Sequence, residues 1–101
     1  MVALKELQER AYQNKLEKGF NTTDISMEFC LTHGELTEAF DAWRKRTGDV
    51  GEELADVAIY LLGLSEILGV DLEQEILRKM EINQQRVYVE ENGVKIKAEN
   101  R

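Results

Sequence analysis

Residues 52–64 read Glu-Glu-Leu-Ala-Asp-Val-Ala-Ile-Tyr-Leu-Leu-Gly-Leu, and the part from Val57 to Leu64 is apolar on every side of a helix. A helix of that kind is buried all round. Asp49, with Glu52 three positions later, forms a capping-box pattern that opens it, and Gly69 is placed to close it as the residue after the C-cap. Three other short helices from one chain can hardly enclose such a segment. A partner subunit is therefore expected to cover one face, with Gly63 permitting close approach, so dimerisation through this helix is the structural expectation.

Outward from that segment the chain reads as helices separated by short breaks. Thr47-Gly48 precedes it, and before that a second helix runs to about Lys45, with Asn21, Thr22 and Thr23 as N-cap candidates. Val2 to Lys18 reads as a first helix, with Val2, Leu4, Leu7, Ala11 and Leu16 apolar and Gly19 ending it. Asp71 opens a fourth that runs to about Arg86, with Gln74 at the box position. Connections this short make successive helices antiparallel. With no proline and abundant Leu, Glu, Lys and Ala, the expected fold is all-α. It is a single domain over residues 1–101, a short four-helix bundle-like subunit with its helical core at about 2–86. Residues 87–101 break the pattern. Asn92-Gly93 between alternating residues signals a hairpin pairing Glu90 with Lys95, and an irregular tail is the other reading.

The net charge of −7 and a pI near 4.7 argue against nucleic acid as a partner, since no basic stripe is available to displace counterions. Cys30 is the single cysteine, which excludes an intramolecular disulfide, and between Phe29 and Leu31 it reads as a small buried hydrophobe. No signal peptide is evident and no apolar run is long enough for a bilayer, so no membrane partner is expected and the cytoplasm is the expected location.

Where the acids sit is more telling than their number. Glu35 and Glu38 are three apart, and so are Glu53 and Asp56. Three residues turn a helix by about 300°, so each pair projects from one face. Leu31, Ala39 and Ala42 surround Glu35 on its face, and Asp56 directly precedes the apolar run. Carboxylates on such faces cost several kcal/mol each to desolvate unless a proton or a cation compensates. The turn at Thr47-Gly48 folds the two helices together, so the four acids are expected to converge on a divalent cation. Hard oxygen donors in that number suit Mg²⁺ or Mn²⁺ and not zinc. Glu28 lies one heptad before Glu35, on the same face, either lining the cavity or at the surface. On the fourth helix, Lys79, Asn83 and Arg86 lie in or beside the apolar stripe of Leu72, Ile76, Met80 and Val87, the makings of a phosphate clamp. Phe20, Trp43 and Tyr60 are candidates for stacking on a base, or core residues.

Glu-x-x-Glu, a 14-residue spacer and Glu-x-x-Asp together resemble the signature of the all-α nucleoside triphosphate pyrophosphohydrolases, the MazG-like superfamily. The matching stretches are His33-Gly34-Glu35-Leu36-Thr37-Glu38-Ala39, Glu52-Glu53-Leu54-Ala55-Asp56-Val57, and Gly69 to Glu73 followed by Lys79, Asn83 and Arg86. The resemblance spans residues 15 to 86 and implies Mg²⁺-dependent hydrolysis of a nucleoside triphosphate to monophosphate and pyrophosphate. It further implies a homodimer or dimer of dimers. Glu35, Glu38, Glu53 and Asp56 would be the metal ligands, one of them orienting the attacking water. Lys79, Asn83 and Arg86 would hold phosphates or sugar.

Two other readings compete. A di-iron carboxylate bundle needs Glu-x-x-His on two helices, and the chain has no such pair. A non-enzymatic interaction protein that binds metal structurally leaves Lys79, Asn83 and Arg86 without a purpose. The lone His33 points away from the acids and offers no nucleophile.

Overall fold

Aspartates set the starts of three of the four helices. The computed structural model describes residues 1–98, arranged as α1 (Leu4–Lys18), α2 (Ile25–Lys45), α3 (Val50–Ile67), α4 (Leu72–Gln85), β1 (Tyr88–Glu91) and β2 (Val94–Lys97). Asp24 accepts from the Met27 amide at 3.1 Å, Asp49 from that of Glu52 at 3.3 Å, and Asp71 from that of Gln74 at 3.2 Å. These bonds satisfy amides that a helix start leaves without an internal partner. The cap of α2 is thus Asp24 and none of the three residues before it. Asn21 folds the preceding turn instead, its carbonyl oxygen accepting from the Asp24 amide at 3.0 Å. No side chain caps α1 locally; Glu73 reaches across from α4 and accepts from the Leu4 amide at 2.8 Å.

Residues 88–97 form a hairpin and not an irregular tail, and the end of the expected 87–101 segment, residues 99–101, lies outside the described residues. Asn92 and Gly93 both take positive φ, 53° and 79°, which suits a tight two-residue turn between right-twisted strands. Glu90 pairs with Lys95 as the alternation predicts, and Val89 with Ile96. The fold is therefore mostly helical, as expected, with four helices and the small two-stranded sheet of the C-terminal hairpin. Arg86 belongs to neither element: it is the C-cap of α4, in extended backbone.

Helix α3 is the central element and packs against both α2 and α1, whereas α4 rests on α1. The radius of gyration is 17.0 Å, well above the roughly 13 Å of a compact chain this long. The subunit is an open arrangement and not a closed four-helix bundle. Burial of α3 is confined to one turn near its C-terminal end: Leu62, Gly63, Leu64 and Ser65 are buried, while Leu54, Ile59 and Leu61 stay exposed. Within one subunit this helix is incompletely covered, as expected of a segment that three short helices cannot enclose. Among the described residues no helix is long and apolar enough to cross a membrane.

What fills the centre is unusual. Beside Ala11, Ala39, Ala42, Leu62 and Leu64, the buried residues are Gln8, Lys15, Glu28 and Ser65, and the largest fully buried side chains are Gln8 and Glu28. The inward stripe of α1 is Gln8, Ala11 and Lys15, a spacing of three and four, so Leu7 and Leu16 face outward. Cys30 is exposed as well, against its reading as a buried hydrophobe, because the face of α2 that packs inward carries Glu28, Ala39 and Ala42.

Gln8 shows why a polar group works there. Its amide nitrogen donates to the Val70 carbonyl at 2.6 Å, and its oxygen accepts from the Leu72 amide at 3.1 Å. It thus satisfies the backbone of the connection between α3 and α4 and fixes α4 against α1. Gln8→Leu strands both backbone groups, so urea unfolding should show a loss of about 2–3 kcal/mol. An unchanged midpoint and slope would rule this out.

Candidate metal centre

Glu35 and Glu38 project from α2, and Glu53 from the first turn of α3. One carboxylate oxygen from each lies within 4.8 Å of the others. Glu35 and Glu53 are half-buried and Glu38 is exposed. Asp56, one turn beyond Glu53, is exposed and stands beside this trio, close enough for its charge to act on Glu35. Two helices joined by the short turn at Thr47-Gly48 therefore bring three of the expected acids together and hold the fourth next to them.

The cluster is electrostatically costly. Burial, then the charge of Glu38 and a hydrogen bond with it, then Asp56 and Glu53, push the Glu35 carboxyl above its ordinary value of 4.5. A carboxyl whose folded value is raised destabilises the folded state once it is ionised. That penalty is fully present above the folded pKa and disappears as pH falls to the unfolded value near 4.5. Glu35→Gln should accordingly raise the melting temperature of the metal-free protein at neutral pH by a few degrees, from about 1 kcal/mol of relieved like-charge repulsion. The gain should vanish toward pH 4. A fall in melting temperature would mark Glu35 as a structural residue.

The donor set fits a hard divalent cation. Oxygens bound to one Mg²⁺ at about 2.0–2.1 Å lie roughly 3–4 Å apart, so a separation within 4.8 Å closes by small side-chain rotations. Three or four carboxylates also supply the charge that such an ion balances.

A pocket of about 230 Å³ opens next to Asp56, lined by Asn14, Lys15, Phe20, Ile59 and Tyr60 among others. Two of the aromatic residues considered for base stacking, Phe20 and Tyr60, are on its wall. Trp43 is not; it is strongly exposed near the end of α2, tilted against Phe40 with ring centroids 6.1 Å apart. Burial and then Glu35, Glu28, Asp56 and Glu38 raise the Tyr60 phenol, which places that ring among the acids.

Glu28 neither lines the cavity as a free acid nor lies at the surface. It is 1% exposed, ion-paired with Lys15, and accepts from the Asn21 amide at 3.1 Å. The heptad spacing from Glu35 gave its face, but nothing in the pattern of the first helix announced Lys15 as its partner.

Lys79, Asn83 and Arg86 are not brought to the acids within one subunit. Lys79 and Asn83 are exposed on α4, Arg86 is half-buried at its end, and α4 rests on α1. No cation of α4 features in the electrostatic surroundings of Glu35.

The dCTP pyrophosphatase 1 of Mus musculus is 41% identical to the chain over 64 residues, covering 52% of this chain and 38% of the mouse protein. That of Rattus norvegicus is 39% identical over 64 residues, with the same coverage. The chain thus spans less than two-fifths of the length of these curated relatives. No solved structure matches. The family model of the MazG-like family matches residues 27–100, which include all four acids and Lys79, Asn83 and Arg86, and the chain belongs to that family.

Proposed function

We propose that the protein hydrolyses nucleoside triphosphates to the monophosphate and pyrophosphate in the presence of Mg²⁺ or Mn²⁺. The observation that carries this is the meeting of Glu35, Glu38 and Glu53 within 4.8 Å, with Asp56 beside them, on helices that offer no Ser or Cys nucleophile at the same place. The dCTP pyrophosphatases among its relatives support the same reaction class. A bound divalent ion supplies charge neutralisation for the triphosphate and lowers the pKa of a water molecule.

The residues of the chain divide the remaining work. Glu35, Glu38, Glu53 and Asp56 hold the ion, and a carboxylate of this group orients the attacking water and accepts its proton. The pocket beside Asp56 receives the nucleoside, with Phe20 and Tyr60 offering aromatic surface. Lys79, Asn83 and Arg86 bind the phosphates. Their distance from the acids within a subunit makes assembly part of the proposal: a homodimer or dimer of dimers, in which α4 of a second copy approaches the site. The outward apolar side chains support this, with Leu36, Phe40 and Trp43 exposed on α2 and Leu77 and Met80 on α4. The protein is taken to act in the cytoplasm, without nucleic acid or membrane.

The test is a panel of ribo-, deoxyribo- and modified nucleoside triphosphates with Mg²⁺ or Mn²⁺, scored for pyrophosphate. Pyrophosphate and monophosphate in equal amounts are expected. Orthophosphate alone would show a different phosphohydrolase, and no turnover by folded protein would favour the metal-binding interaction protein.

A further inference from the structure

The buried ion pair is the feature that the proposed reaction leaves unexplained. Lys15 and Glu28 are 7% and 1% exposed, and they join α1 to α2 across the centre of the subunit. Glu28 also receives the Asn21 amide, which itself donates to the Asp24 carbonyl at 2.9 Å, so the pair is tied to the turn before α2. Exchange of such a pair for apolar residues of similar volume is often neutral or stabilising, so stability alone does not account for it.

Its surroundings do. The Lys15 ammonium lies 5.2 Å from the centroid of the Tyr60 ring on α3, within reach of a cation–π attraction. The stem of Lys15 runs over Gly63, one turn further along α3: a Cβ there would come within 2.8 Å of the lysine Cε and 3.3 Å of its Cδ. The glycine therefore leaves room for the lysine stem beside α3 on its way to Glu28. One side of Tyr60 faces this cation, and Glu35, Asp56 and Glu38 surround its hydroxyl end electrostatically. Lys15, Tyr60 and Asp56 all line the same 230 Å³ pocket. Lys15 lies outside residues 27–100, the part matched by the family.

We propose that the buried Lys15–Glu28 pair is a positioning device that fixes the Tyr60 ring as the wall between the carboxylates and the adjoining pocket. It thereby sets where a nucleoside sits relative to the reacting phosphate. This rests on the pyrophosphohydrolase reading for its catalytic consequence, though not for its structural one. A half-buried tyrosine on a helix has more than one staggered χ1 well open to it. Glu28 anchors the cation, and the cation holds one face of the ring.

The test uses the full chain carrying Lys15→Met with Glu28→Leu, which removes both charges and keeps the volume. The melting temperature should stay within a few degrees of wild type or rise, and Mn²⁺ affinity by calorimetry should stay within twofold. The kcat should fall about tenfold or more, the scale of loss that a small misplacement of substrate produces. A second readout needs no turnover. In protein labelled with 3-fluorotyrosine, with the Tyr60 line assigned by Tyr60→Phe, the ¹⁹F signal should move toward that of a mobile tyrosine in the double variant. Glu28→Gln, which keeps the side-chain size and the acceptor for Lys15, reads the same two signals with a smaller displacement and stands in if the double variant does not fold. An unchanged kcat with an unchanged Tyr60 line would overturn the proposal and leave the pair structural. If wild type turns over no nucleotide, the pyrophosphohydrolase reading fails separately, and the Tyr60 line alone decides the positioning role.

Discussion

Glu38→Ala and Asp56→Ala proteins are expected to release pyrophosphate at least about a thousandfold more slowly than wild type while remaining folded. Each deletes an oxygen donor from a set in which Glu35, Glu38 and Glu53 already crowd within 4.8 Å. On the proposed function, loss of one ligand would weaken binding of the ion and remove charge that fixes the attacking water, and effects of groups acting as a unit do not add. Glu38 and Asp56 are both exposed, so their truncation leaves no buried cavity. Removal of like charge should leave the metal-free melting temperature unchanged or slightly higher. A circular dichroism scan beside the pyrophosphate assay checks both statements. Retention of more than about a tenth of wild-type kcat in both variants would exclude these carboxylates from the centre.

The largest effect on stability should come from Lys15→Met alone. It leaves Glu28, 1% exposed, with Asn21 as its remaining side-chain partner. Breaking a buried pair on one side typically costs about 3–5 kcal/mol, because the surviving charge stays desolvated. For a domain of this size that corresponds to a melting temperature lower by roughly 15–30 °C. The second substitution, Glu28→Leu, should restore most of the loss. Thermal unfolding of the three variants gives the coupling directly; additive losses in the double variant would show that the two side chains do not act as a pair.

Helix boundaries were legible because they depend on local chemistry. Asp49 with Glu52, Gly69, and Asp71 with Gln74 each act through bonds within a few residues, and the Asn92-Gly93 hairpin came with its register. The acidic cluster was legible for the same reason, since helical spacing places Glu35 with Glu38, and a short turn places Glu53 against them. The core was not. The apolar residues of α1 are Val2, Leu4, Leu7, Ala11 and Leu16, yet of these Ala11 alone is buried, and Gln8 and Lys15 are buried with it. A polar stripe becomes a core stripe only when its partners arrive from far along the chain: Val70 and Leu72 for Gln8, Glu28 for Lys15. Such partnerships leave no mark in a local pattern. The apolar run of α3 was legible as a segment that one subunit cannot enclose, because composition shows that a face is apolar and not which molecule covers it.

Gly63 and Lys15 also constrain the order in which the chain can change. While Lys15 is in place, a Cβ at Gly63 comes within 2.8 Å of its Cε, so alanine there requires the paired lysine stem to shift, which opposes the roughly 1 kcal/mol that alanine offers over glycine inside a helix. Once the side chain at position 15 is too short to reach Gly63, that contact is gone and Gly63→Ala becomes favourable. The two positions are coupled in order: a change at Lys15 opens Gly63, and a side chain gained at Gly63 then opposes the return of lysine.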